Sequence, residues 1–179
     1  MFCLKSVTSS TEMELLVAFT DLNNFLNATS RLSDLKTFGI LSEFAELTGV
    51  VVERAGGTVV KFLGDGALIV FPIETVDDGV NALMELKDKT AAWATAQELK
   101  VSLRISAHCG KVAVGPLGTR NEKRVDVFGS VVNTAFTLPG RGTSITPQVF
   151  RQLSSSTRKK FKKHTPPVRY IPIDEPHRE

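Results

Sequence analysis

Apolar residues in the first half of the chain form short continuous runs separated by helically spaced positions. The run at 15–19 predicts a buried first strand. Apolar residues at every third or fourth position predict an amphipathic helix over about 36–54. Two β-rich segments, 58–63 and 67–71, flank the sequence Gly64-Asp65-Gly66 and are typical of a β-hairpin.

The second half continues with one long helix and several short strands. In order, the patterns predict a helix from 76 to about 99, strands at 101–109, 112–115 and 124–128, a helix at 130–138, a strand at 144–146, a helix at 147–153, and strand segments at 161 and 168–173. The order β-α-β-β-α-β with C-terminal additions predicts an α+β fold. The predicted fold is a ferredoxin-like βαββαβ sandwich with helices on one face of the sheet.

Length and composition place these elements in one domain. The chain has 179 residues, of which 42% are hydrophobic and 23% charged, as in ordinary globular proteins. We expect a flexible N-terminal tail over 1–12, one folded domain over 13–173 and a C-terminal tail over 174–179. The cysteines, Cys3 and Cys109, do not suggest a disulfide framework.

The charge distribution narrows the range of partners. The net charge is +3, from 22 Lys and Arg against 19 Asp and Glu, which is too small to indicate a nucleic-acid binder. A basic run at 158–163 is interpreted as a solvated surface, so we expect no nucleic-acid partner. No apolar stretch reaches the roughly 20 residues of a membrane helix, and no signal peptide is evident. We therefore expect no membrane segment and a cytoplasmic location.

Two carboxylates are the first candidates for chemistry. Asp21 follows the first predicted strand, and Asp65 lies at the tip of the predicted hairpin. If these strands are neighbours, both side chains meet at one edge of the sheet and suit a hard cation such as Mg²⁺ or Mn²⁺. Taken alone, Asp65 is also a common turn residue and Asp21 a common helix cap. Lys61, in an otherwise apolar strand, is either solvent-facing or a specific hydrogen-bond donor.

Five sequence blocks together resemble the class III nucleotidyl cyclase catalytic domain, the adenylate and guanylate cyclase family. The resemblance covers about residues 14–172. The blocks, in the family's order, are FTDLNNF (19–25), GGTVVKFLGDGALIVF (56–71), RISAHCGKVAVGPLG (104–118), DVFGSVVNTAF (126–136) and TSITPQVFRQL (143–153).

The resemblance implies a role for each matching residue. Asp21 and Asp65 match the two metal aspartates, with two Mg²⁺ or Mn²⁺ ions per site. Asn133 matches the asparagine that orients the ribose. Lys61 and Asp126 match the pair that reads the purine, and their types favour ATP over GTP. The phosphates are implied to meet the backbone of Leu22, Asn23, Asn24 and Phe25, and one lysine: Lys163, or else Lys160 or Lys162.

The implied reaction is the cyclisation of ATP to cyclic AMP and pyrophosphate. The ribose 3′-hydroxyl attacks the α-phosphorus in line, and metals assist by neutralising charge. In the family, one chain supplies the metal aspartates and the other supplies the base- and ribose-facing residues. The resemblance therefore implies a head-to-tail homodimer with two symmetric sites.

Several positions depart from the family pattern. Thr137 stands where an arginine normally faces the α-phosphate, and Arg141 is either its substitute or a solvated loop residue. Asn24 replaces a glycine, Leu26 replaces a hydroxyl residue, and His164 stands where a glycine often follows the phosphate lysine. Two functions remain open: a slow adenylate cyclase, or a nucleotide-binding and dimerisation module that does not turn over.

Overall fold

The computed structural model describes residues 4–176. Its strands are β1 (Thr11–Asn23), β2 (Thr58–Leu63), β3 (Gly66–Pro72), β4 (Ser102–Gly118), β5 (Lys123–Phe128), β6 (Thr143–Ile145), β7 (Phe161–His164) and β8 (Arg169–Pro172). Its α-helices are α1 (Phe25–Thr29), α2 (Asp34–Arg54), α3 (Val76–Ala96), α4 (Ser130–Thr137), α5 (Pro147–Gln152) and α6 (Ser155–Arg158). No helix in this range is long and apolar enough to cross a membrane.

One mixed sheet organises the chain, with the strand order β2-β3-β1-β4-β6-β8-β7. β1 lies between β3 and β4 and is antiparallel to both. β5 pairs with the far end of β4 and lies off the main path. This order places the end of β1 beside the β2–β3 hairpin, as the two-carboxylate prediction requires.

The alternating residues of β1 divide the core between the two faces of the sheet. Leu16 and Ala18 belong to a large cluster with the buried residues of α2, α3 and α5. Leu15 and Val17 belong to a second cluster with residues of α4. The expected α+β fold is therefore confirmed: α2 and α3, the two helices of the βαββαβ core, pack on one face of the sheet, while α4, one of the C-terminal additions, covers the opposite face.

Local sequence signals account well for α2 and the hairpin that follows it. The side chain of Ser33 caps α2 by accepting a hydrogen bond from the backbone N–H of Lys36. After the helix, Gly56 adopts a left-handed φ of +75°, which glycine tolerates without steric cost. At Gly57, a Cβ atom would collide with the ring of Phe71, so the absent side chain lets the hairpin pack closely.

Three features differ from the pattern-based expectation. The predicted strands 101–109 and 112–115 form one strand, because Gly110 stays in register opposite Leu15 of β1. Short helices α1 and α6 were not predicted. Within the segment 1–12, where a flexible tail is predicted, Leu4 is buried and β1 starts at Thr11.

Both predicted tails extend beyond the described range. Residues 1–3, including Cys3, and residues 177–179 lie outside it. Within the range, Glu175 contacts the domain: its carboxylate accepts hydrogen bonds from the backbone N–H of Thr143. Cys109 is buried and its thiol is free.

Candidate active site

Asp21 and Asp65 lie where the end of β1 meets the β2–β3 turn. Gly66, the residue after Asp65, packs so closely on β1 that a Cβ there would collide with the carbonyl oxygen of Thr20. The same atom would lie 3.5 Å from Oδ1 of Asp21. A glycine at this position therefore lets the Asp65 turn lie directly against the strand that carries Asp21.

The two carboxylates interact electrostatically. Burial raises the pKa of Asp65 above its ordinary value, and the negative charge of Asp21 raises it further, while a backbone hydrogen bond partly offsets both effects. Two repelling carboxylates at one point suit a divalent cation, which would relieve the repulsion. Within residues 4–176, no group of three or more His, Cys, Asp or Glu side chains is placed to hold a metal. A bound ion would thus need further oxygen ligands, such as those of a phosphate.

A cavity of about 190 Å³ adjoins Asp21, and its lining includes a positively charged side chain that the sequence patterns did not indicate. Arg104 of β4 pairs directly with Asp21 across the sheet, and both residues line this cavity. Nη2 of Arg104 donates a hydrogen bond of 2.8 Å to the carbonyl of Leu138, which fixes the guanidinium. Phe136 of α4 also lines the cavity and contacts Phe19 edge to face, with ring centroids 5.1 Å apart.

Lys61 and Asp126 meet in a separate and larger cavity of about 980 Å³. Nζ of Lys61 lies 2.6 Å from Oδ2 of Asp126, and the two side chains are 42% and 18% exposed. The other carboxylate oxygen of Asp126 accepts a hydrogen bond of 2.8 Å from the backbone N–H of Val127. The structure therefore brings together the two residues to which the resemblance gave one task.

A bulge in β2 contributes to the position of Lys61. The pairing of β2 with β3 shifts register between Val59 and Lys61. Such a bulge locally redirects side chains along a strand. Lys61 is exposed, which agrees with the prediction of a solvent-facing side chain. It also donates to Asp126 and lines the cavity, which agrees with the alternative of a specific hydrogen-bond donor.

Where β1 passes into α1, the side chains of residues 22–25 contact other parts of the domain. Leu22 and Phe25 are buried in the core. Nδ2 of Asn23 donates to Oγ of Ser102 (3.1 Å) and to the carbonyl of Arg141 (2.7 Å). Asn24 adopts a left-handed φ of 67°, a conformation that asparagine tolerates better than most residues, and its Nδ2 donates to the carbonyl of Lys100. Asn24 thus takes a backbone conformation that glycine adopts readily.

α4 carries Asn133 and Thr137 on exposed positions one helical turn apart. The hydroxyl of Thr137 donates a 2.9 Å hydrogen bond to the carbonyl of Asn133, within the helix. Arg141, the candidate substitute for the missing arginine, lines a different cavity together with Lys87 and Arg169. Its assignment as a catalytic residue remains a prediction.

The three candidate phosphate lysines differ in their contacts. Nζ of Lys160 donates to Oδ1 of Asn81 at 2.7 Å, and Nζ of Lys162 donates to the carbonyl of Ile173 at 2.9 Å. Lys163 is exposed on β7. Of the three, Lys163 is therefore the residue that best suits an external ligand, while His164 beside it is buried.

The chain is similar to known proteins over nearly its whole length. The sequence model of the adenylate and guanylate cyclase catalytic domain matches residues 7–165. An adenylate cyclase of Anabaena cylindrica is 21% identical over 162 residues, and adenylate cyclase 1 of Rhizobium meliloti is 25% identical over 145. These alignments cover 83% and 74% of this chain but only 32% and 22% of the relatives' own lengths. A receptor-type guanylate cyclase of Caenorhabditis briggsae, gcy-19, is 25% identical over 134 residues, which are 70% of this chain and 11% of that protein.

Solved structures share the fold. The adenylyl cyclase CyaB from P. aeruginosa superimposes with a TM-score of 0.80 at 16% identity, covering 93% of this chain and 97% of that one. The guanylate cyclase domain of RhGC from Catenaria anguillulae, solved in complex with GTP, gives a TM-score of 0.76 at 21% identity. It covers 89% of this chain and 96% of that one. Adenylate- and guanylate-type proteins are thus both represented among the similar proteins.

Proposed function

This chain belongs to the adenylate and guanylate cyclase catalytic domain family, and we propose that it is an adenylate cyclase. In this proposal it is a phosphorus–oxygen lyase that converts ATP to cyclic AMP and pyrophosphate. The observation that carries the choice of ATP is the pairing of Lys61 with Asp126 in the large cavity. ATP as substrate also favours a cytoplasmic location.

The polarity of this pair suits adenine. Adenine presents a hydrogen-bond acceptor at N1 and a donor at its 6-amino group, whereas guanine presents a donor at N1 and an acceptor at O6. The ammonium of Lys61 can only donate, and the ionised carboxylate of Asp126 can only accept. With Lys61 facing N1 and Asp126 facing position 6, adenine satisfies both groups, while guanine opposes donor to donor and acceptor to acceptor.

Asp21 and Asp65 would hold the divalent cations, Mg²⁺ or Mn²⁺, two per site. Bound metal lowers the pKa of the 3′-hydroxyl and neutralises the charge that develops on the phosphates. The residues fit this task because their mutual repulsion is relieved by a cation. Arg104, which lines the cavity beside Asp21, places a fixed positive charge next to any phosphate oxygen that enters.

The chain's main contribution to the reaction is orientation. The 3′-oxygen forms a bond to the α-phosphorus, the bond from that phosphorus to the bridging oxygen of the β-phosphate breaks, and the hydroxyl proton passes to solvent. Asn133 would hold the ribose with its side-chain amide, and Lys61 with Asp126 would hold the base. Fixing the base and the ribose keeps the attacking 3′-oxygen in line with the leaving pyrophosphate.

We further propose that the complete site forms between two copies of the chain. On one chain, Asp21 and the pair Lys61–Asp126 line different cavities, so each would be half of a site. Near Asp126, Leu117 and Phe128 are 61% and 70% exposed and offer an apolar surface for a partner. A head-to-tail homodimer would unite the halves into two symmetric sites.

One observation favours a second function, a nucleotide-binding module that turns over slowly or not at all. Thr137 occupies the arginine position, and its hydroxyl is engaged by the carbonyl of Asn133. A threonine supplies no positive charge to the transition state, and loss of an arginine in phosphoryl transfer costs roughly 10³–10⁵ in rate.

An assay with both nucleotides separates the two functions. Purified protein is incubated with Mn²⁺ and either ATP or GTP over a range of protein concentrations, and both cyclic products are measured. An adenylate cyclase forms more cyclic AMP than cyclic GMP, with a specific activity that rises with protein concentration. Nucleotide binding by calorimetry without any product indicates the silent module, and equal or greater formation of cyclic GMP contradicts the assigned base specificity.

A further inference from the structure

A cavity of about 350 Å³ lies at the sheet end where β4 and β6 begin and β8 finishes. It is lined by β4, the α4–β6 loop, β8, α3 and the segment after β8, through residues that include Ser102, Arg141, Arg169, Lys87 and Glu175. Neither the metal aspartates nor the base-reading pair line it. Apart from the catalytic role predicted for Arg141, the proposed cyclase reaction gives this cavity no function.

The charges around the cavity are unbalanced. Three cations line it, Lys87, Arg141 and Arg169, against one carboxylate, that of Glu175. Arg169 is only 3% exposed, and within residues 4–176 its Nε has no hydrogen-bond partner. An arginine keeps its positive charge when it is buried, so a buried guanidinium N–H without a hydrogen-bond partner is energetically costly.

The carboxylate of Glu175 indicates which chemistry the cavity accepts. Its two oxygens accept hydrogen bonds from the backbone N–H of Thr143, at 2.9 and 3.1 Å, and the group also forms an ion pair with Lys87. Gly142 makes the fit possible, because a Cβ at that position would collide with the Glu175 carboxylate. The wall of the cavity is thus already built to hold an oxyanion at this end, while among the described residues no carboxylate forms an ion pair with Arg169 or Arg141.

We propose that this cavity is a binding site for a small oxyanion, a free phosphate or carboxylate compound, held by the guanidinium groups of Arg169 and Arg141. Planar guanidinium groups bind phosphate and carboxylate oxygens in pairs, which matches an anion of this class. Glu175 acts as a tethered competitor, since its negative charge shares the cavity. The inference goes beyond the cyclase assignment and does not depend on it.

The site has a structural connection to the metal end of β1. Ser102 and Arg141 line the cavity, and both accept hydrogen bonds from Nδ2 of Asn23. Asn23 follows Asp21 by two residues on the same strand. A ligand that moves the Arg141 loop would therefore act on the segment carrying a metal aspartate.

The test is a titration of the full chain with inorganic phosphate and, separately, with acetate, without metal or nucleotide. Backbone amide resonances of Gly142 and Thr143 report the cavity, and that of Gly66 reports the cyclase site beside Asp65. We expect saturable shifts at Gly142 and Thr143 at lower anion concentration than at Gly66. Tighter binding of phosphate identifies a phosphoryl ligand, and tighter binding of acetate identifies a carboxylate.

Four variants make the result specific. Glu175→Gln removes the competitor and should tighten binding severalfold, whereas Arg169→Gln should weaken it about tenfold or more. Arg141→Gln, at an exposed position, should weaken binding and keeps the test valid if Arg169→Gln does not fold. Lys159→Gln removes an exposed charge outside the cavity and should change nothing. Shifts at Gly142 and Thr143 that do not saturate, or affinities equal in wild type, Glu175→Gln and Arg141→Gln, overturn the proposal.

Discussion

Nζ of Lys61 and Oδ2 of Asp126 lie 2.6 Å apart, although 65 positions separate the two residues in the sequence. In the free chain each group satisfies the other, and Val127 fixes the second oxygen of the carboxylate. A purine that enters the cavity must take over these bonds. If the pair reads the base, as we propose, binding exchanges one set of hydrogen bonds for another.

Lys61→Gln tests the role of this pair in base selection. Loss of the charged donor should lower kcat/KM for ATP by about 10- to 100-fold, the usual range for a charge-assisted hydrogen bond. The preference for ATP over GTP should fall in parallel. The measurement is kcat/KM for both nucleotides. Lys123→Gln, an exposed charge on β5, is the matched control and should leave the preference unchanged. An unaltered ATP:GTP ratio in Lys61→Gln would show that the pair does not read the base.

Asp65→Asn should make the protein more stable at neutral pH and inactive as a cyclase. Burial and Asp21 raise the pKa of Asp65, so the folded state binds this proton more tightly than the unfolded state does. Its stabilising contribution is complete below the unfolded pKa of 3.8 and is lost as the pH rises through the folded pKa. The ionised group therefore destabilises the fold at pH 7, and Asn should raise Tm by roughly 1–3 °C.

Thermal unfolding at several pH values and with added Mn²⁺ checks this prediction. The difference in Tm between Asp65→Asn and wild type should disappear below about pH 3.8, where both side chains are neutral. Mn²⁺ should stabilise the wild type and not the variant, because only the wild type binds the ion. Asp174→Asn, at an exposed position, serves as control. A lower Tm for Asp65→Asn at pH 7 would contradict the assigned electrostatics.

Thr137→Arg should accelerate the reaction. An arginine at this exposed position of α4 can supply the positive charge that threonine lacks, so kcat should rise by roughly tenfold or more while KM changes little. Thr134→Arg adds the same charge on the same helix at another exposed position and should have no comparable effect. Equal effects of the two substitutions would indicate general electrostatics in place of a specific contact.

Mixing two inactive variants tests the shared site. In a head-to-tail pair of one Asp65→Asn chain and one Asn133→Ala chain, the damaged metal half and the damaged ribose half fall in the same site. A heterodimer of the two variants can retain one intact site. An equimolar mixture should then recover about a quarter of wild-type activity. A mixture no more active than either variant alone would contradict sites shared between chains.

Local patterns predicted the elements whose signals lie within one segment. The helical spacing of α2 and the Gly-Asp-Gly turn gave boundaries within two residues of those observed. Contacts between distant segments could not be predicted from such local patterns. Arg104 became a site candidate only once the register placed it opposite Asp21, and the short apolar stripe of α4 did not reveal which face of the sheet it covers.

The candidate site also depends on contacts between distant segments that local sequence patterns do not predict. That Lys61 and Asp126 act together came from the family resemblance, because neither the spacing nor the residue types place β5 beside β2. The cavity around Arg169 had no sequence signal, since Lys87, Arg141 and Glu175 come from three separate segments of the chain. The conformation of Asn24 was also hidden, because its left-handed backbone depends on the turn into α1.

The most direct test of the adenylate cyclase assignment is cyclic AMP formation from ATP and Mn²⁺ at high protein concentration, compared between the wild type and Asp65→Ala. The wild type should form cyclic AMP and pyrophosphate in equal amounts and only with metal present, and Asp65→Ala should form neither product. No cyclic AMP above the Asp65→Ala background, from wild-type protein that binds ATP, would contradict it.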